Sequence, residues 1–468
     1  MQLNDLSAVT LVDLFRQKRL SPLQYWDHIE QTIAAWEPKI AALYAYDPAA
    51  ARAQAIASTE RWQRGAPKGP LDGVPVTLKE LIATAGLPIP QGSAATDLIP
   101  ATADAPPAAR LKEAGAILFA KTTVPDLAML SSGLSSFHGV TRNPWDLASN
   151  PGGSSAGAAA AGAAGYGPIH IGTDIGGSVR LPAGWCGLVG FKPSLGRIPI
   201  DPYFVGRCAG PLTRTVADAA LAMQILSAPD PRDAMSLPPS AIDWTDLQTD
   251  VRGLRLGLML DAGVGLAAEP EIIAATEHVA KLFEQHGAIV ERVGPVLTRA
   301  MLDGMDDFWR ARAWNDLRGF EPERLAKLLP YIHDWAAVGD TLPGWRVAAG
   351  FNQTMAMRRA AADLFGRVDA VLSPTNPIVA YPADHASPTQ DPSWPFEHIA
   401  FTLPWNMSEQ PAISINGGFS ASGMPIGVQL VGPRFDDLGV LRLAAAVEGW
   451  LGKIDCWPGC PLRTIQND

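Results

Sequence analysis

The sequence predicts an α/β fold, and three observations carry the prediction. Short apolar runs are bounded by glycine and proline, stretches of helical period lie between them, and one complete strand–helix–strand unit follows the middle of the chain. No internal repeat or low-complexity tract breaks the pattern, so one continuous α/β unit is expected rather than separate domains.

Residues 1–65 read as a helical segment packed on an α/β domain spanning 66–468. Ser21-Pro22 and Asp47-Pro48 each set a capping side chain before a proline suited to the first helical turn. Between them Leu23, Trp26, Ile29, Ile33 and Trp36 recur at helical spacing, as a core-facing stripe does. From Leu71 the period changes: Val74 to Leu78 and Ala116 to Ala120 are strand-like runs. The proline-rich polar stretch Ser227 to Ser240 reads as a loop. Leu254 to Leu260 as strand, Glu269 to His286 as amphipathic helix and Ala288 to Val293 as strand form the βαβ unit. Strand character returns at Val368 to Leu372, Ala412 to Ile415 and Ile426 to Val431, before a final helix from about Asp436. The segment Met301 to Gly350 carries Trp309, Trp314, Trp335 and Trp345; its aromatics suit either an acyl or aryl pocket or ordinary helix packing.

Composition narrows the function. With 468 residues, 47% of them hydrophobic, the chain is long enough for a substantial core. A formal charge of −10 with scattered basic residues argues against nucleic acid or an anionic membrane as partner. Four cysteines are too few for a disulfide framework, and Cys456 and Cys460 lack a second Cys/His pair, so no metal site is expected. The first residues show no basic stretch followed by an apolar one, and Ala156 to Ile169 is shorter than the roughly 20 residues of a membrane span. A soluble cytoplasmic protein is the expectation.

Two glycine–serine clusters carry the chemistry: Gly152-Gly153-Ser154-Ser155 and Gly176-Gly177-Ser178. Glycine lets the backbone approach a substrate and aim its N–H groups. Gly153-Ser154-Ser155-Ala156-Gly157 matches the G-x-S-x-G nucleophile elbow, which would make Ser155 the nucleophile and leave His398 as a base. That reading needs a strand immediately before it, and Asn150-Pro151 breaks one. The second cluster follows a strand-like run, and the N–H groups of Ile175, Gly176, Gly177 and Ser178 can converge into an oxyanion hole there.

Leu71-Asp72-Gly73-Val74-Pro75-Val76-Thr77-Leu78-Lys79-Glu80, Asn143-Pro144-Trp145-Asp146, Pro151 to Gly157 and Gly172 to Arg180 together resemble the core of the amidase signature family. Cys186 to Ser194, Gly210 to Val216, Pro411 to Ser414 and Gly423 to Gln429 extend the likeness, so that it spans about Leu11 to Glu448. The resemblance implies a mixed central β-sheet flanked on both faces by α-helices. It also implies a Ser–cis-Ser–Lys triad: Ser178 as nucleophile, Ser154 as proton relay after a cis peptide bond, and a neutral Lys79 as ultimate base. The separations 178 − 154 = 24 and 178 − 79 = 99 fit it. Glu80, next in sequence, would face away from Lys79. Ser155, Thr173, Asp174 and Arg180 would support the triad, while Ala128, Met129 and Ser131 would border the scissile group.

The implied activity is metal-independent hydrolysis of a small aryl or alkyl carboxamide through an acyl-enzyme, with no cofactor. Dimers are common in the family, so a homodimer is allowed for. Carbamate, ester or urea-derivative hydrolysis by the same triad is the alternative, as is the glutaminase subunit of a tRNA-dependent amidotransferase. Ser408-Glu409-Gln410 and Asn416 depart from family habit (a small residue then glycine, and a proline), in a region expected to shape the substrate pocket.

Overall fold

Capping chemistry starts the N-terminal helices where the sequence places them. Ser21 Oγ accepts from Gln24 N at 3.1 Å while Gln24 Oε1 accepts from Ser21 N at 2.9 Å, opening helix Pro22–Ile40. Asp47 Oδ1 accepts from Ala50 N at 2.9 Å at the head of helix Pro48–Gln63. Trp26, Ile29 and Ile33 of the stripe are buried in the main core, with Leu23 and Trp36 at its margin. The computed structural model describes residues 3–454 and 456–458, so Cys460 of the cysteine pair lies outside the described residues.

In chain order the strands are β1 (Leu43–Tyr44), β2 (Pro75–Lys79), β3 (Ile117–Thr122), β4 (Leu134–Ser135), β5 (Gly139–Val140), β6 (Ile169–Asp174) and β7 (Val189–Lys192). There follow β8 (Cys208–Thr213), β9 (Arg255–Leu258), β10 (Ile289–Arg292), β11 (Ala370–Pro374), β12 (Ala412–Phe419) and β13 (Pro425–Val431). Apart from the small hairpin β4–β5, they form one mixed sheet ordered β1-β3-β2-β6-β8-β7-β12-β13-β11-β9-β10. The expected βαβ unit forms its far edge, with β9 and β10 parallel in the register Arg255↔Ile289 across helix Pro270–Gln285. β2, β6 and β8 are buried at every position, as strands covered by helices on both faces are.

Two features of the fold position the site. β2 pairs in parallel with both β3 and β6, so Lys79 and Asp174, the last residues of β2 and β6, emerge at one end of the sheet. The carboxyl ends of parallel strands are where open α/β sheets bind ligands. Helix Ala156–Ala164, built only of alanine and glycine and fully buried, packs against β2, β3, β6 and β8. Its approach is close enough that a Cβ on Gly157 would stand 2.2 Å from Ala42 O. A second apolar cluster, formed by helices Arg299–Leu317 and Pro330–Ala337 with Phe396, Ile399 and Leu403, lies apart from the main core. Among the described residues no helix is long and apolar enough to cross a membrane.

Candidate active site

Lys79 is fully buried, and its Nζ lies 2.8 Å from Ser154 Oγ, 3.0 Å from Ser155 Oγ and 3.3 Å from Thr173 O. Burial pulls its pKa from 10.5 down to about 7; Asp174 and Glu80 oppose that pull, and Arg207 adds to it. Glu80 turns to other partners, as alternation along the chain requires: its carboxylate accepts from Gly92 N and pairs with His138 Nε2. The Gly153–Ser154 peptide bond is cis. Ser155 ties the groups together. Its Oγ lies 3.3 Å from Thr173 O, and its N–H donates to Ser178 O at 3.2 Å.

Asp174 organises the turn that carries Ser178. Oδ1 accepts from Gly177 N at 2.8 Å and Oδ2 from Val179 N at 3.1 Å, while Arg180 Nε and Nη2 grip both oxygens at 3.0 and 2.9 Å. Burial alone would raise this carboxyl; the Arg180 charge and hydrogen bonds hold it well below the carboxylate range. Gly177 departs from expectation, because its N–H is spent on Asp174 and does not face the cleft. Among the described residues the N–H groups of Ile175, Gly176 and Ser178 have no protein acceptor.

Three further residues hold the turn, and sequence reasoning assigned none of them. Asn406 Nδ2 donates to Asp174 Oδ1 at 2.9 Å, and its Oδ1 accepts from Arg180 at 2.6 Å. Gln429 Oε1 accepts from Arg180 Nη1 at 2.6 Å, and Thr402 Oγ1 donates to Gly176 O at 2.6 Å. Gln429 ends the Gly423 to Gln429 motif, so its position is legible in the sequence although its role is not. Nothing in the sequence around Thr402 and Asn406 marks them.

Ser178, half-buried, opens onto a cleft that Ala128, Met129 and Ser131 border, together with Ile175 and Gly176. Trp309, Arg312, Phe396 and Ile399 close its other side. The tryptophans of the Met301 to Gly350 segment thus divide. Trp309 lines the cleft, Trp335 packs against Phe396 in the second cluster, Trp314 bonds to Asp340, and Trp345 is exposed. Ser408, Glu409, Gln410 and Asn416 line two other cavities, so the expectation that they shape this pocket is corrected. The elbow alternative also fails. Asn150 and Pro151 lie in no strand, and buried His398 packs on Trp185, with neither ring nitrogen hydrogen-bonded.

A family model described as Amidase matches residues 28–441. The chain is 34% identical to a glutamyl-tRNA(Gln) amidotransferase subunit from Chloroflexus aggregans over 447 residues, covering 89% of this chain and 90% of that one. It is 31% identical to an acylamidase of Rhodococcus erythropolis, covering 96% of each chain. The crystal structure of a bacterial aryl acylamidase of the amidase signature enzymes superposes with a TM-score of 0.86 at 30% identity, covering 95% of this chain and 96% of the other.

Proposed function

The chain belongs to the amidase family of amide-hydrolysing enzymes, and we propose that it cleaves an aryl or alkyl carboxamide through an acyl-enzyme on Ser178. The observation that carries this reading is the three-way contact of Lys79 Nζ. A neutral amine has two N–H bonds and one lone pair. Thr173 O only accepts, and Ser155 Oγ, whose own hydrogen points to Thr173 O, also accepts. Both N–H bonds are then spent, and the lone pair is left for the Ser154 hydroxyl at 2.8 Å. Ser154 can pass its proton to Lys79 as it takes one from Ser178, and return it to the leaving amine. The attacked carbonyl oxygen would rest on the N–H groups of Ile175, Gly176 and Ser178. No metal or cofactor enters the scheme, and the buried free thiols of Cys186 and Cys208 suit a reducing, cytoplasmic setting.

The relatives that are amidotransferase subunits support a second reading, in which glutamine is the substrate and ammonia passes to a partner. Glutamine brings an ammonium group as well as a carboxylate, and none of the described residues lining the Ser178 cleft is Asp or Glu. Trp309, Phe396, Ile399 and Met129 suit an apolar acyl or aryl group better.

The test is mass spectrometry of the isolated chain quenched during turnover of a 4-nitroanilide. An acyl adduct on the peptide containing Ser178 is expected, and Ser178→Ala should lose it along with at least about 10³-fold of kcat. Full turnover by Ser178→Ala, or an adduct on Ser155, would refute the assignment.

A further inference from the structure

We propose that the Arg312 guanidinium docks a carboxylate of the substrate, so that the preferred amides carry an acidic group a few bonds from the scissile carbonyl. The proposal rests on the amide-hydrolysing reading of the Ser178 cleft and adds a substrate class to it. Arg312 stands on helix Arg299–Leu317 one turn after Trp309, and both side chains line the cleft with Ser178. With Met129 they also line an adjoining cavity that runs toward Gln91 and Thr96. The guanidinium therefore lies where the catalytic cleft meets a roomier compartment.

Its lack of a hydrogen-bond acceptor or ion-pair partner among the described residues is the second observation. Buried Arg180 and Arg310 each hold a carboxylate, Asp174 and Asp306. Half-buried Arg312 has the Phe204 ring, 3.8 Å away at its centroid, and among the described residues no hydrogen-bond acceptor or ion-pair partner. Asp316, one turn on, is exposed and acts on it only at a distance. Arg207 adds like charge. Its Nε is buried without an acceptor, and burial, followed by the repulsion of Arg312, pulls its pKa down to about 10. Guanidinium groups stay charged in proteins, and burying one without a counter-ion is costly. A substrate carboxylate supplies the missing charge through a forked pair of N–H···O bonds, a geometry arginine favours.

The test uses the 4-nitroanilides of succinic, glutaric and adipic acids, each ending in a free carboxylate. Those of butanoic, pentanoic and hexanoic acids are the neutral partners, and released 4-nitroaniline is the readout. At one chain length or more, the acid should exceed its neutral partner about tenfold or more in kcat/KM. In Arg312→Leu that ratio should collapse to near one, mainly through KM on the acids, and Arg312→Lys should restore part of it. Equal or better turnover of the neutral partners by the wild type overturns the proposal even if Arg312→Leu does not fold; so does a ratio unchanged in Arg312→Leu. Calorimetric binding of the acids to Ser178→Ala, with and without Arg312→Leu, separates the two readings. Arg312-dependent binding without cleavage of any anilide would sink the amidase reading and leave the anion site standing. Cleavage of all six without charge preference would do the reverse.

Discussion

In the proposed reaction Lys79 acts as a base only while uncharged, and its burial decides when that is. Activity should therefore follow its ionisation. Log kcat/KM for a neutral anilide is expected to rise with pH at unit slope and level off above about 7, where the folded lysine loses its proton. A profile flat from well below that value would show that Lys79 is not the base. Lys79→Met should cost about 10²–10⁴-fold in kcat. Stability carries the opposite sign of cost. The unfolded chain protonates this lysine near 10.5 and the folded chain only near 7. The Lys79 contribution thus falls as pH drops through that window and changes no further below it. At this scale Ser154 and Ser178 are legible because glycine neighbours mark them, and Lys79 through the resemblance of its motif to the amidase signature family. Asn406 and Thr402 were not, because each acts through polar contacts to residues more than 220 positions away, 226 for the Asn406 bond to Arg180, and such contacts leave no local pattern.

The element on which the proposed catalysis depends is the turn between β6 and helix Arg180–Cys186. Gly177 sits there at φ +124°, in a region that L side chains rarely adopt, and a Cβ would stand 2.4 Å from Thr402 Oγ1 and 2.7 Å from Leu181 Cδ1. Gly177→Ala is expected to destabilise the protein by about 1–3 kcal/mol through backbone strain. It should cut kcat by more than about 10²-fold as the neighbouring donors shift. Urea titration and steady-state kinetics on the same preparation check both effects, and a variant with wild-type kcat would show that the turn tolerates the shift. Elements were the most legible level, because capping residues and hydrophobic period act locally. Strand ends were less so. Met259 and Val368 are buried, yet both lie outside β9 and β11, because an apolar run records burial while a strand ends where ladder pairing ends.

At the scale of the molecule the sheet order was illegible, since pairings such as β7 with β12 join segments more than 200 residues apart. The N-terminal helices, by contrast, are legible from their caps and apolar stripe, and their packing joins the 1–65 segment to the sheet. Thr123 N donates to Ala42 O at 3.0 Å, Thr141 Oγ1 donates to Ala41 O at 2.7 Å, and Leu43–Tyr44 pair with β3 beside the strand that carries Lys79. Leu11, Phe15, Tyr25, Trp26, Ile29 and Ile33 lie in the same buried cluster as Val76, Leu78 and Ile171. At about 1.5–3 kcal/mol each, those six side chains represent roughly 9–18 kcal/mol of burial, as much as the whole net stability of an ordinary domain. A chain starting at residue 66 is therefore expected to be inactive and molten or insoluble. The full chain should unfold in urea as one transition, with tryptophan fluorescence and far-UV circular dichroism superimposable. Two separated transitions, or activity in the shortened chain, would mean that the helices form a detachable unit and that Lys79 keeps its place without them.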